Sequence, residues 1–260
     1  MNKHQPYDLK QMQSIPLEGK IIMTKERIRQ WYEHWDGMVY VSFSGGKDST
    51  VLKHIVDSMY NDVPAVFVNT GLEYPEIQKF AKSQKNVIVV RPDVRFDEVL
   101  KKYGYPVISK RVASAVDGAR RKPDSIRMKQ MLGIWETNGK LSMYNYGNHK
   151  HLLESNFKIS DKCCTEMKKK PLKKYQGKSN RFPLIATMAC ESENRRMNWI
   201  KYGCNAFGSK NPSSQPLSFW TEQDILLYLK KYNVPYCSVY GDIVYTDSDG
   251  NEYATSLSIR

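Results

Sequence analysis

Short apolar runs alternate along this chain with stretches whose apolar residues recur at helical spacing. Residues 39–43, 64–69, 86–90 and 182–188 are runs of the first kind, rich in Val, Ile and Phe and of strand length. Between them, Val51, Leu52, Ile55, Val56 and Met59 repeat at three- and four-residue intervals, as do Phe96, Val99 and Leu100. Repeated strand, turn and helix predict an α/β fold with a parallel sheet flanked by helices. Residues 1–19 are polar, contain Pro6 and Pro16, and read as an extended arm. Thr24 then reads as the cap of a helix through Arg27, Ile28, Trp31, Tyr32 and Trp35 that stops at Gly37. From Lys101 the alternation breaks into short basic helices joined at Gly133, Gly139 and Gly147. The expected organisation is an arm (1–19), an α/β domain (20–240) with a basic helical insertion at about 104–180, and a short extension (241–260).

The first strand runs into Ser44-Gly45-Gly46-Lys47-Asp48-Ser49, and a helix follows. Glycines let successive backbone N–H groups converge, and the start of a helix carries partial positive charge, so such a turn can cradle an anion such as a phosphate chain. Asp48 or Ser49 is the expected helix cap. The spacing differs from a Walker A loop, which puts four residues between its first glycine and the Gly-Lys pair. An ordinary strand-to-helix turn would use the same residue types. The second strand ends in Asn69-Thr70-Gly71-Leu72-Glu73, and ligands of parallel sheets bind beyond the carboxyl ends of the strands. That rule brings Asn69 to Glu73 beside the glycine loop, although Glu73 could equally be a first-turn helix charge.

Composition adds a partner and removes others. Forty Lys and Arg against 27 Asp and Glu give a formal charge of +13, which draws polyanions. The excess gathers in Lys162, Lys168, Lys169, Lys170, Lys173, Lys174 and Lys178, and again in Lys110, Arg111, Arg120, Arg121, Lys122, Arg127 and Lys129. Solvated helix faces, a DNA or RNA surface, and contacts to a nucleotide's own phosphates all remain open readings. No apolar run is long enough to span a bilayer and no signal core opens the chain, so a cytoplasmic protein without a membrane partner is expected. Five cysteines with no secretion signal argue for free thiols, a metal centre or thiol chemistry.

The segment from Ser44 to Ser49 resembles the PP-loop of the ATP pyrophosphatases, and the downstream segments resemble their phosphoadenosine phosphosulfate (PAPS) reductase branch. Four stretches occur in that family's order: the loop, Cys163-Cys164 with Lys168-Lys169-Lys170-Pro171, Glu191-Ser192 with Arg195, and Pro216-Leu217 with Trp220-Thr221 and Asp224-Ile225. The resemblance implies a Rossmann-like fold of the adenine nucleotide alpha hydrolase-like (HUP) kind. It implies that ATP, or PAPS or adenylyl sulfate, is held by Ser42, Ser44, Gly45, Gly46, Lys47, Asp48, Ser49, Asn69, Thr70, Gly71, Glu73, Lys110, Glu191 and Ser192. Lys47, Asp48 and Arg195 are then the catalytic candidates, with Asp48 a candidate Mg²⁺ ligand. Arg195 would clamp phosphates with Glu191 orienting it, or the two form an i,i+4 helix pair. Thr187 stands where the family has glycine.

Adjacent cysteines at a helix start among lysines suit thiolate chemistry or iron–sulfur ligation. Family members with a 4Fe–4S cluster complete it with a Cys-x-x-Cys pair near the C-terminus, which this chain lacks. A cluster would need Cys163, Cys164, Cys204 and Cys237, and the setting of a reductase's C-terminal catalytic cysteine is also missing. Three functions follow: ATP cleavage between the α and β phosphates coupled to sulfur transfer, with nucleic acid a candidate acceptor and a protein the sulfur donor; sulfonucleotide reduction; or nucleotide-dependent nucleic-acid binding without turnover. A homo-oligomer or a subunit of a complex is expected. Trp220 reads as core, residues 203–216 as a mobile loop, and Asp247–Gly250 as a hairpin-like turn.

Overall fold

The computed structural model describes residues 3–246 and 252–254. The chain divides into two compact units, one of Met1–Val90 and Tyr175–Arg260, the other of Arg91–Lys174. Helices α1 (Pro6–Gln13) and α2 (Leu17–His34) open the first unit. The expected extended arm is therefore helical. Pro6 occupies the first turn of α1, where a missing N–H has no cost, and the Gln5 amide donates to the Asp8 carboxylate at 2.8 Å. Pro16 stands at the N-cap of α2, so both prolines start helices rather than break them. Thr24 is no cap. It lies buried inside α2, where its hydroxyl accepts from the Trp220 indole at 2.9 Å.

Strand β1 (Val39–Phe43) follows, then α3 (Lys47–Asp57), β2 (Ala65–Val68), α4 (Pro75–Ser83) and β3 (Val87–Val90). The second unit holds α5 (Phe96–Tyr103), α6 (Lys110–Arg121), α7 (Ile126–Leu132) and a two-strand ribbon of β4 (Glu136–Thr137) and β5 (Lys140–Leu141). After α8 (Lys170–Ser179), the first unit resumes with β6 (Phe182–Ile185), α9 (Glu193–Tyr202), β7 (Asn205–Ala206), β8 (Ser213–Ser214) and α10 (Glu222–Lys231). Strand β9 (Val244–Thr246) pairs antiparallel with β10 (Glu252–Ala254). The turn expected at Asp247–Gly250 lies outside the described residues. Residues 203–216 are not simply a loop, because β7 and β8 pair antiparallel there and β8 joins the main sheet.

The six-stranded sheet runs β3-β2-β1-β6-β8-β7 and is parallel up to its last, antiparallel pair. Strand β1 lies between β2 and β6, with Phe43 opposite Phe67 and Ser42 opposite Ile185. This is a Rossmann-like α/β fold, as the alternation of apolar runs predicted. Val39, Val41, Leu52, Ile55, Leu184, Trp31 and Trp220 are essentially inaccessible in its core. Burying each such side chain is worth about 1.5–3 kcal/mol. Among the described residues no helix is long and apolar enough to cross a membrane.

The second unit has its own smaller core. Val112, Ala113, Ala115, Val116 and Ala119 of α6 pack with Met131 of α7, Leu152 and Ile159. Ser109 and Ser125 cap α6 and α7 by accepting from Val112 and Met128 amides. One irregularity sits before α6: Ile108, exposed, has φ +63° inside a three-residue turn closed by the Ser109 amide on the Val107 carbonyl at 2.8 Å. A β-branched residue in that region is strained by about 1–3 kcal/mol.

Candidate functional site

The glycine loop joins the end of β1 to α3, and its own side chains brace it. The Ser44 and Gly46 amides donate to the Ser49 and Ser44 hydroxyls at 3.2 Å, and the hydroxyls of Ser49 and Thr50 both donate to the Gly46 carbonyl at 2.9 Å. Gly46, not Asp48 or Ser49, is the N-cap residue, because Ser49 is turned back into the loop. Gly45 has φ +75°, and a Cβ there would sit 3.0 Å from the Ile77 side chain and 3.2 Å from its carbonyl oxygen. Only glycine fits that turn without strain. The first-turn N–H groups of α3 have no acceptor inside the helix, which is the property that makes such a loop an anion cradle.

Around the loop stand four further groups. Lys47, mostly buried, lies 3.3 Å from Glu222 Oε1 at the start of α10 and 3.6 Å from Asp48 Oδ1. Its ammonium is 5.5 Å from the centre of the Tyr240 ring. The Tyr240 hydroxyl faces the loop, 3.1 Å from where a Gly46 Cβ would be. Burial raises its pKa, while the Lys47 amide and ammonium pull the other way. Asp48 is held above the ordinary carboxylate range by burial, against the opposing charges of Lys47 and Arg195. Its Oδ1 is buried and makes no hydrogen bond among the described residues. The Lys47 ammonium, 3.6 Å away, offsets part of the cost of removing that oxygen from water.

Arg195 forms the expected ion pair with Glu191, and Glu191 also accepts from the Met188 amide at 2.6 Å. Ser192 caps α9, accepting from the Arg195 amide. Cys190 lies in the turn between Met188 and Ser192, with its thiol 3.6 Å from the Trp220 carbonyl. Cys190 is exposed, yet partial desolvation of its thiol, reinforced by the charges of Asp48, Glu222 and Asp224, raises its pKa. At the end of β2, Thr70 donates through its amide and hydroxyl to Glu73 at 3.0 and 2.7 Å, and the Gly71 amide donates to Asn69 at 3.0 Å. Asn69, Thr70, Gly71 and Glu73 thus form one braced turn, with Gly71 at φ +80°. Thr187, in place of the family glycine, donates to Gln215 at 3.1 Å.

Glu222 and Tyr240 escape sequence reasoning, since nothing local marks either as a neighbour of Lys47. The signal that could have found Glu222 is its place in the first turn of the helix opened by Trp220-Thr221. That helix is anchored by a buried pair: Lys20 of α2 meets Asp224 at 2.7 Å, and Asp224 accepts from the Thr221 amide at 2.7 Å.

The remaining expected residues do not assemble a metal centre. Cys163 and Cys164 sit half-buried at the start of a helical segment of the second unit whose next turn, Thr165–Lys169, is a π-helix. Lys110 opens α6 in the same unit, exposed. Cys204 and Cys237 are buried in the apolar core of the first, where burial pushes the Cys204 thiol up. Among the described residues no group of three or more His, Cys, Asp or Glu comes together that could hold a metal ion. The described cysteines thus give an iron–sulfur cluster no support. Asp48 fits a different use, as one carboxylate oxygen available to a cation shared with phosphates.

A braced glycine loop at the carboxyl end of a central parallel strand, with a lysine and a half-buried aspartate in its first helical turn, defines a PP-loop nucleotide-binding α/β protein. The chain matches the phosphoadenosine phosphosulfate reductase domain family over residues 38–111 and 135–246, more than half its length, and it belongs to that family. Over 96 residues it is 34% identical to an uncharacterized protein of Methanocaldococcus jannaschii, covering 34% of this chain and 23% of that one, so the chain spans about a quarter of that relative. Among solved structures, it is similar to a phosphoadenylyl-sulfate reductase from Candida auris in a phosphate complex. That likeness has 16% identity and a TM-score of 0.47, over 83% of this chain and 82% of the other. It is also similar to the U34-tRNA thiolase NcsA from Methanococcus maripaludis with its 4Fe–4S cluster. There the identity is 17% and the TM-score 0.42, over 84% and 66% of the two chains. The family supports a nucleotide-binding enzymatic role.

Proposed function

We propose that the chain binds ATP and cleaves it between the α and β phosphates, adenylating an acceptor oxygen that a sulfur donor protein then displaces. The observation that carries this reading is the pairing of an amide cradle with an Asp48 oxygen that makes no hydrogen bond among the described residues and lies 3.6 Å from the Lys47 ammonium. In the step, an acceptor oxygen attacks the α phosphorus, the bridging P–O bond breaks, pyrophosphate leaves, and the acceptor's proton passes to solvent. The loop amides hold the departing pyrophosphate, and Lys47 offsets the charge growing on it. Asp48 would hold a magnesium ion, which supplies further charge neutralisation. In this reading Arg195, paired with Glu191, steadies phosphate oxygens.

The alternative of sulfonucleotide reduction needs a reactive thiol. Cys190 is an exposed thiol, and partial desolvation together with the charges of Asp48 and Glu222 disfavours its thiolate. The deciding experiment incubates the protein with ATP, Mg²⁺ and total cellular RNA and measures pyrophosphate. In parallel it supplies PAPS with dithiothreitol and measures sulfite. Pyrophosphate release that disappears in Lys47→Ala supports adenylation; sulfite release without pyrophosphate overturns it.

A further inference from the structure

Residues 91–174 hold 20 of the chain's 40 Lys and Arg but nine of its 27 Asp and Glu, so this unit carries +11 of a formal +13. Four ion pairs form inside it: Arg95–Asp97, Arg121–Asp117, Lys170–Glu166 and Lys174–Asp93. Lys101, Lys102, Lys158 and Lys162 are exposed and pair with no carboxylate among the described residues. Positive charge alone keeps proteins soluble and names no partner. What singles out this stretch is an exposed aromatic pair, Tyr105 and Phe157, that lies close along the chain to those cations.

Tyr105 and Phe157 are 49% and 40% exposed and meet edge to face, with ring centres 6.0 Å apart. Their backbones are tied together and to the unit. The Tyr105 amide donates to the Lys158 carbonyl at 2.9 Å, and the Ser160 amide donates to the Tyr105 carbonyl at 3.2 Å. Gly104, at φ +104°, lets the strands approach, since a Cβ there would fall 2.3 Å from the Lys158 carbonyl group. On the other side, Arg120 spends its guanidinium on the chain before Phe157. It donates to the carbonyls of Leu152, Leu153, Ser155 and Phe157 at 2.6 to 3.2 Å. Lys158 Nζ reaches the Lys102 carbonyl at 3.5 Å, and Lys102 Nζ lies 5.3 Å from the Tyr103 ring centre.

Two large rings are thus kept half in water on a firmly bonded backbone, although burying them would stabilise the fold. We propose that Tyr105 and Phe157, flanked by Lys101, Lys102, Lys158 and Lys162, form a stacking platform for unpaired bases of single-stranded RNA. Cations track a phosphodiester backbone, and aromatic faces accept bases of any sequence. A duplex hides its base faces inside the helix, whereas RNA loops splay theirs out. An acidic polypeptide would satisfy the charge but leave the rings unused. The surface belongs to this unit by itself, so its test is made without nucleotide and does not depend on the ATP reading.

The full-length protein is titrated into a fluorescein-labelled 20-nucleotide unstructured RNA, with anisotropy read from 50 to 300 mM KCl. Each stacked base is worth about five- to 150-fold in affinity. Tyr105→Ala/Phe157→Ala is therefore expected to weaken binding at least about 10-fold with an unchanged salt slope. Tyr105→Phe/Phe157→Tyr, which keeps both rings, should bind as the wild type does. Lys102→Ala/Lys158→Ala should flatten the slope of log affinity against log salt by about 1.4, near 0.7 per lost phosphate contact on a single strand. No RNA binding at 50 mM salt overturns the proposal. So does binding indifferent to the aromatic substitution, tighter binding of a blunt DNA duplex, or equal displacement by polyglutamate.

Discussion

The two units of this chain solve the problem of charge in opposite ways. The unit bearing the glycine loop has 20 Lys and Arg against 18 Asp and Glu, and its key cations are paired: Lys20 with Asp224, Lys53 with Asp57, Lys47 with Glu222. The unit of Arg91–Lys174 leaves most of its cations facing water. The contrast separates two uses of a positive side chain. In the first unit Lys20, Lys47 and Lys53 are desolvated and aimed, so each of these three has a defined partner and a defined cost. In the second, lysines act as a diffuse field, in which position matters less than number. The cores differ in the same sense. Aromatic and branched side chains fill the first, while alanines and valines of a single helix make up most of the second.

The sharpest break in the first unit is at its buried ion pair. Lys20→Ala strands the Asp224 carboxylate, and unfolding by urea should show a loss of about 3–5 kcal/mol. A loss under 1 kcal/mol would mean that the pair does not anchor α10. Next in size, Met131→Ala removes the largest side chain from the small core of the second unit. It should cost about 2–5 kcal/mol, with hydrogen exchange accelerating in residues 112–131 and not in β1.

Ile108→Gly tests strain instead of packing. Glycine tolerates φ +63°, so the variant should be more stable by about 1 kcal/mol, and a destabilised variant would show that the exposed side chain makes a contact of its own. The smallest expected shift concerns Asp48. Its folded pKa is raised by burial, so the native state holds a proton more tightly than the unfolded chain does, and the ionised form opposes folding at neutral pH. Asp48→Asn should therefore raise the melting temperature above the folded pKa. That advantage should shrink as pH falls through the folded pKa and vanish below the ordinary carboxylate value. An advantage that stays constant with pH would assign the effect to packing.

Much of this was legible in the residues, for local reasons. Strands β1, β2 and β6 are continuous apolar runs because a sheet covered by helices buries both faces, whereas the edge strand β3 carries the same kind of run with Ile88 and Val89 exposed. The basic stretch from Lys110 to Lys129 and the residues from Lys162 to Lys174 fall within one unit, while Lys178, the end of the second stretch, falls in the other. Errors arose where a residue serves distant neighbours. Thr24 has the chemistry of a cap, yet its hydroxyl is claimed by Trp220 and by the Pro216 carbonyl. Ser49 likewise has cap chemistry and is turned back into the loop. Pro6 and Pro16 suggested an extended arm, but proline breaks a helix only in its interior.

By itself the sequence determined that β1 ends in a phosphate-type loop, because the glycine turn and the helix after it are built from contiguous residues under local steric rules. It also determined the family, through segments preserved in order along the chain. Only the tertiary structure decided what surrounds that loop. Glu222 and Tyr240 reach Lys47, Asp48 loses much of its water, and Cys204 and Cys237 are spent on the core. Those outcomes depend on which distant surfaces pack together, and burial and charge proximity arise only when they do.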